Sequence, residues 1–500
     1  MDHRIDQYLD QAFTEENVKQ VFLDYLEAKW DQFSNPNKPK IKLQFGADGV
    51  TYQSFYKQLD RHTRNICRRI QEGSYYFYPF REENKEKKPT GSGKYRIISV
   101  ASIRDVLVQK ILYQHVLYRP MEKLFSDLDH PRVVSFAYRK SHSAPKAAST
   151  VREYIDLGFR HVLDADICKF FDILNHEQLL IKVASVIRGT ESRTYELVER
   201  FIQTDRVEEA TYLQFGKKIF HNITPQTTKR LMGVPQGGVL SGLLANLYLH
   251  EFDEWIARIL GERFDLRYVR YADDFIILTK HKEDLNPIRD LVDQKLSEFS
   301  LDLELHPIKT TQKNIHIETL EFVGFSFDQS NMRVKADNIN AYQEDIREIL
   351  EELGPIHDPD NIGEASERIR GLSRKIANKV LGLSIRKTCP KCGFKRIGPP
   401  RSWISFFKEV TDENQIPMLD NWTRKQVYED IYKNFGLRIS RRILKKAKLK
   451  SLVNECYRLR FLRLQPCLCD LDKYGLWRYS DDLYSNTLAN YGDGTCTLTA

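Results

Sequence analysis

Three aspartates in two short runs are the residues of this chain best suited to chemistry. Asp166 closes the first run in VLDADICKFFD, and Asp273 and Asp274 are adjacent in YVRYADDFII. Mg²⁺ selects oxygen donors on rigid supports. Two such ions roughly 4 Å apart activate a hydroxyl for attack on a phosphoryl group and neutralise the leaving oxygen. An isolated Asp-Asp pair in a turn is ordinarily just solvated. This pair lies between β-branched and aromatic runs, where exposed acid is out of place. The pattern therefore reads as a strand-end carboxylate facing a hairpin tip, with two Mg²⁺ ions as the expected cofactor. Asp164, two residues before Asp166, would share its strand face, either as a supporting acid or as an ordinary polar strand residue.

The elements that must position these acids follow from periodicity. HVLDADI reads as a strand and NHEQLLIKVASVI as a helix. RYVRYADDFIILT (267–279) reads as two β-runs around a tight turn. LNPIRDLVDQKLSEF reads as a helix and TLEFVGFSFD (319–328) as a strand pair. Upstream, TEENVKQVFLDYLEAKW (14–30) carries Val18, Val21, Phe22, Tyr25 and Leu26 at helical spacing behind an N-cap at Thr14. NPNKPK (35–40) reads as a linker. REENKEKKPTGSGKYR (81–96) reads as a basic loop running into a strand at YRIISV, residues 102–125 as a long helix, and 337–383 as all-helical.

Bulk composition narrows the class without naming it. The 500 residues are 41% hydrophobic and 11% aromatic, enough for two or more cores, and 77 basic against 69 acidic residues leave a net charge of only +8. No run approaches the ~18 apolar residues of a membrane span. The start MDHRIDQYLDQAF lacks a secretory core, and eight cysteines make no disulfide scaffold. A soluble, cytoplasmic protein without a membrane partner is the expectation.

Tyr271-Ala272-Asp273-Asp274 resembles the YxDD signature of bacterial reverse transcriptases, and VLDADICKFFD resembles the strand bearing their first aspartate. Between them, GVPQGGVLSGLLANLYLHEFD (233–253) is similar to the GxPQGxxxSPLLANxYL element of group II intron-like enzymes. KYRIISVASIRDVLVQKIL resembles their fingers motif, SFAYRKSHSAPKA the segment after it, ELHPIKT the lysine motif, and LEFVGF the primer grip. The resemblance covers residues 85–385. It implies an α+β right-hand polymerase: a helical N-terminal extension (1–80), fingers and palm (81–335), a helical thumb (336–388), and a basic, mainly α-helical C-terminal domain (389–500). The implied activity is RNA-directed DNA polymerisation.

On that resemblance Asp166, Asp273 and Asp274 are the metal ligands, with the Ile167 carbonyl completing one shell, and Lys309 donates a proton to pyrophosphate. Arg96, Lys88 from the 86–88 run, Gln236 and Phe171 contact the dNTP. Phe171 would be the steric gate that refuses a 2′-hydroxyl; on a strand, Phe170 and Phe171 would point opposite ways, one to the core. Phe322, Gly324 and Phe325 would form the primer grip. Gly242 stands where the family motif has proline. The implied partners are an RNA template, expected to be a structured non-coding RNA, with dNTPs and a DNA product, and a homo-oligomer is left open. Antiphage defence is the preferred role; an intron-encoded maturase and a catalytically silent RNA-binding scaffold are the alternatives.

The last third offers two further candidates. Cys389 and Cys392 in CPKCGF resemble half a zinc ribbon, for which Cys467 and Cys469 could supply the rest and Zn²⁺ the ion. Reduced structural thiols are the plain alternative. Some defence-associated reverse transcriptases start DNA on a protein hydroxyl, which makes Tyr474, Tyr479, Tyr484 and Tyr491 candidate priming residues. Residues 438–463 carry ten Lys/Arg against one Glu, a run suited to nucleic acid.

Overall fold

The computed structural model describes residues 4–29, 45–86, 93, 95–208, 227–354, 358–382, 386–388, 395–397, 402–461, 463–464 and 488–489. Lys88, the linker at 35–40, the four cysteines Cys389, Cys392, Cys467 and Cys469, and the four tail tyrosines lie outside them. The chain divides into two compact units, Met1–Tyr138 with His161–Gln312, and Arg139–Arg160 with Lys313–Ala500. Among the described residues no helix is long and apolar enough to cross a membrane.

The first unit uses strands β1 (Phe80–Glu86), β2 (Tyr95–Val100), β3 (His161–Asp166), β4 (Arg206–Glu208), β5 (Leu266–Tyr271) and β6 (Asp274–Thr279). β1 pairs antiparallel with β2 and parallel with β4. β6 lies between β5 and β3, antiparallel to both. Val162, Leu163, Val269, Phe275, Ile276, Ile277 and Leu278 are wholly buried, so these runs are apolar on both faces, as strands covered on both sides must be. One such cover is helix Ser241–Glu254, in which Leu243, Leu244, Leu247, Tyr248 and Phe252 are buried.

The N-terminal helices Arg4–Ala12 and Glu15–Lys29 share this core through Leu9, Phe13, Val18 and Phe22. Thr14 accepts from Asn17 N–H at 3.2 Å, in keeping with its expected capping role. The expected helix over 102–125 forms but is wound through a π-turn at Leu112–Leu117 and continues to Leu128. Phe170 and Phe171 are not on a strand. Lys169, in the left-handed conformation (φ 46°), starts a single helical turn, Phe170–Ile173, that carries both rings.

The second unit is built on aromatic packing. The hairpin Leu320–Phe322/Phe325–Phe327 sets Phe325 against Phe406 and Phe407, with ring centroids 5.7 and 5.2 Å apart. The all-helical stretch resolves into Ala336–Glu351 and Ile362–Leu381. The latter is tied to helix Gln415–Phe435 by the Arg368 guanidinium, which holds Asp430 at 2.6 and 2.7 Å.

One carboxylate links the extreme N-terminus to the first unit's core. Asp6 accepts from the backbone N–H groups of Arg193 and Thr194, at 3.0 and 3.1 Å, at the start of helix Arg193–Ile202. Those donors have no partner within their own helix. Asp6→Ala is expected to cost about 1–2 kcal/mol, read as a lower urea midpoint at unchanged slope.

Candidate active site

β3 and β6 are in register so that Asp166 stands directly opposite Asp274, while Tyr271 closes the other side of the same pair. Directly opposed residues have Cβ atoms about 4.5–5.5 Å apart. Asp273 occupies the two-residue turn, and its carbonyl accepts from Ile167 N–H at 3.3 Å. The ends of two strands are thereby laced together at the acids. Asp164, two residues back, contributes to the field at Asp274. Burial first, then the charges of Asp164, Asp166 and Asp273, hold the Asp274 carboxyl well above the usual carboxylate range; Lys309 pulls the other way. Asp273 is raised too, by burial and by Asp166.

Lys309 is brought in by a loop folded onto the end of β3. His306 N–H donates to the Asp166 carbonyl at 2.7 Å, and Cys168 N–H to the Glu304 carbonyl at 2.9 Å. The Lys309 ammonium ion-pairs with the Asp166 carboxylate, and that hydrogen bond raises the lysine pKa. Among the described residues no group of three or more His, Cys, Asp or Glu is arranged as a ready metal cluster. The donor set nevertheless suits hard cations: acids from both strand ends, placed so that burial and neighbouring carboxylates raise Asp273 and Asp274 while Lys309 pulls the other way.

Around the acids, the loop 233–240 makes two close backbone approaches. Gly233, at φ 76°, lies so near the Phe171 and Asp172 carbonyls that a Cβ would come within 2.6 Å of both. Val234 N–H donates to the Phe171 carbonyl at 2.7 Å, and the Gln236 carbonyl accepts from Ser99 N–H of β2 at 2.7 Å. Phe171, half-buried, and Gln236 are thus joined to the strand that carries exposed Arg96. Ile167 is 1% exposed. Phe322 and Phe325, in the second unit, are buried at 2% and 0% exposure. What that hairpin offers outward is its turn, Val323 (φ 43°) and Gly324 (φ 88°), not those rings.

Sequence reasoning passed over the group beneath the acidic turn. Arg270 is fully buried. Its Nε donates to Asp253 Oδ1 at 2.6 Å and its Nη2 to Asp253 Oδ2, a forked ion pair. Nη1 reaches Asn246 Oδ1 at 3.1 Å and the Ala272 carbonyl at 2.8 Å, and Nη2 reaches Ser135 Oγ at 3.1 Å. Ala272 precedes Asp273 and sits at φ 63°, a left-handed conformation that a non-glycine residue adopts only at a cost. The guanidinium holds that strained carbonyl and, through Asp253 and Asn246, fixes it to helix Ser241–Glu254. The signal was partly legible: an arginine set between Val269 and Tyr271 in a β-run, with Asn246 and Asp253 seven apart on one helix face.

Breaking this pair leaves a buried charge unpaired. Asp253→Ala is expected to destabilise by about 3–5 kcal/mol. Arg270→Lys, which keeps the charge but cannot serve five acceptor contacts, should lose less stability. Thermal and urea unfolding of the two variants check the order.

Residues 85–327 match the family model described as reverse transcriptase (RNA-dependent DNA polymerase). The group II intron-encoded protein LtrA of Lactococcus lactis subsp. cremoris is 27% identical over 263 residues, 50% of this chain and 38% of that protein. Protein YkfC of Escherichia coli (strain K12) is 25% identical over 298 residues, 53% of this chain and 71% of its own length. The chain thus spans well under half of the first relative. Among solved structures, apo telomerase from Candida tropicalis is similar at 14% identity and a TM-score of 0.41, over 76% of this chain and 61% of that one.

Proposed function

We propose, for a chain whose residues 85–327 match the family model of reverse transcriptases, that the protein extends a primer with deoxynucleotides along an RNA template. The observation that supports this most is the register that sets Asp166 opposite Asp274, with Asp273 in the adjoining turn. Asp166, Asp273 and Asp274 would hold divalent ions, with the Ile167 carbonyl as a further donor. When bound, two Mg²⁺ ions lower the pKa of the primer hydroxyl and neutralise charge on the departing pyrophosphate.

The remaining work falls to side chains. The primer 3′-oxygen attacks the α-phosphorus of the dNTP, and the bond to the bridging oxygen of pyrophosphate breaks. Lys309, which pairs with Asp166, would turn to that leaving oxygen and supply it with a proton. Arg96, exposed on β2, grips the triphosphate with a planar fork suited to phosphate oxygens, assisted by Lys88. Gln236 and the glycine-lined backbone of its loop border the nucleotide, and the Phe171 ring refuses a 2′-hydroxyl. The turn at Val323–Gly324 steadies the primer strand.

A structured RNA as partner is supported by the C-terminal helices Arg441–Lys446 and Leu452–Arg460. On the first of these and its flanks Arg438, Arg441, Arg442, Lys445, Lys446, Lys448 and Lys450 are all exposed, a density suited to a phosphate backbone. For the biological role, copying a dedicated non-coding RNA in antiphage defence is placed first. A group II intron maturase is the second reading, favoured by the intron-encoded relative. RNA and DNA co-purified with the protein separate the two, as intron sequence in one case and a separate structured RNA in the other.

The polymerase reading is tested on a DNA primer annealed to an RNA template with dNTPs and Mg²⁺. Asp273→Asn is expected to lower extension on the order of 10³-fold or more, with template binding retained. Extension at the wild-type rate by that variant would overturn it.

A further inference from the structure

Phe171 has two aromatic neighbours, and they differ in kind. Phe170 meets it edge-on with centroids 5.5 Å apart, and at 1% exposure belongs to the core. Tyr138 also meets it edge-on, at 6.1 Å and 79°, but is 45% exposed. Asp273, Tyr271 and Arg96 all act electrostatically on Tyr138, which therefore stands among the groups of the candidate site rather than behind them. Its backbone is left-handed, φ 59°, an uncommon and costly conformation for a bulky residue.

The ring fits only because residue 242 is glycine. A Cβ there would lie 2.3 Å from two of the Tyr138 ring carbons, closer than packed atoms tolerate. The motif that this helix start resembles has proline at the same place. Gly242 is thus the departure from that motif that leaves room for the Tyr138 ring.

We propose that Tyr138 is a specificity-determining positioning residue, whose ring wedges Phe171 in place and so sets how strictly the site refuses ribonucleotides. The inference rests on the reading of Phe171 as the sugar gate. A gate ring free to change rotamer admits a 2′-hydroxyl by yielding. A ring held between Phe170 and Tyr138 can yield only by displacing a packed neighbour.

The test is the ratio of kcat/KM for dCTP to that for CTP on an RNA template with a DNA primer. Phe171→Ala should collapse the ratio. Tyr138→Leu, and Gly242→Ala, which leaves the tyrosine but presses on its ring, should each lower it about 2- to 10-fold, the size of one edge-to-face pair. Tyr138→Phe should keep it. Adding Tyr138→Leu to Phe171→Ala should lower it no further, because the wedge then has nothing to hold. An unchanged ratio in Phe171→Ala overturns the gate and this inference with it. A collapsed ratio there, with wild-type ratios in Tyr138→Leu and Gly242→Ala, overturns the inference alone. Loss of activity with both nucleotides in both of those variants makes Tyr138 a folding residue and equally overturns it.

Discussion

Carboxylates crowded onto two strand ends repel one another, and everything near them in this protein is arranged to hold them there. The decisive interaction is the buried pair of Arg270 and Asp253. Charges taken out of water are costly unless each finds a full set of partners. Here the guanidinium finds Asp253, Asn246, Ser135 and the Ala272 carbonyl, so the expense of burial is offset by satisfied hydrogen bonds. The return is positional: a strained turn is fastened to a long buried helix, and Asp273 projects from a support that cannot slide. Such a network also makes the site all-or-none, since removing one partner strands the others.

The chain of support can be followed outward. Asn246 donates to the Ala137 carbonyl at 2.6 Å, and Phe136 N–H donates to the Arg270 carbonyl at 3.0 Å. The segment before Tyr138 is therefore fixed by the same residues that fix the acidic turn. Phe171 is reached from the other side, through backbone contacts of Gly233 and Val234. The three aspartates and Phe171 thus share one scaffold, although they arrive from distant parts of the sequence.

Much of this was readable in advance, for identifiable reasons. Strands β3, β5 and β6 announce themselves because they are apolar, short and bounded by turns, and a strand's fixed period then decides which acids face each other. Helix Leu285–Leu296 and the Thr14 cap followed from equally local rules. The turn carrying Phe170 and Phe171 was misread as strand because its cause is a left-handed Lys169, which periodicity does not reveal. The primer-grip candidates Phe322 and Phe325 are anchored in an aromatic core that the sequence does not reveal, since partners such as Phe406 and Phe407 lie some eighty positions later in the chain. Tyr138 escaped notice because its meaning is wholly tertiary, and Arg270 because its partners Asp253, Asn246 and Ser135 are supplied only by the fold.

The account turns on whether these acids gather metal. The direct measurement is anomalous diffraction from crystals of the protein with template, primer and an unreactive dNTP analogue, grown in Mn²⁺. Two peaks roughly 4 Å apart, ligated by Asp166 and the Asp273–Asp274 turn, are the predicted result. Manganese bound elsewhere, with the carboxylates left to Lys309 in an otherwise assembled complex, would contradict it.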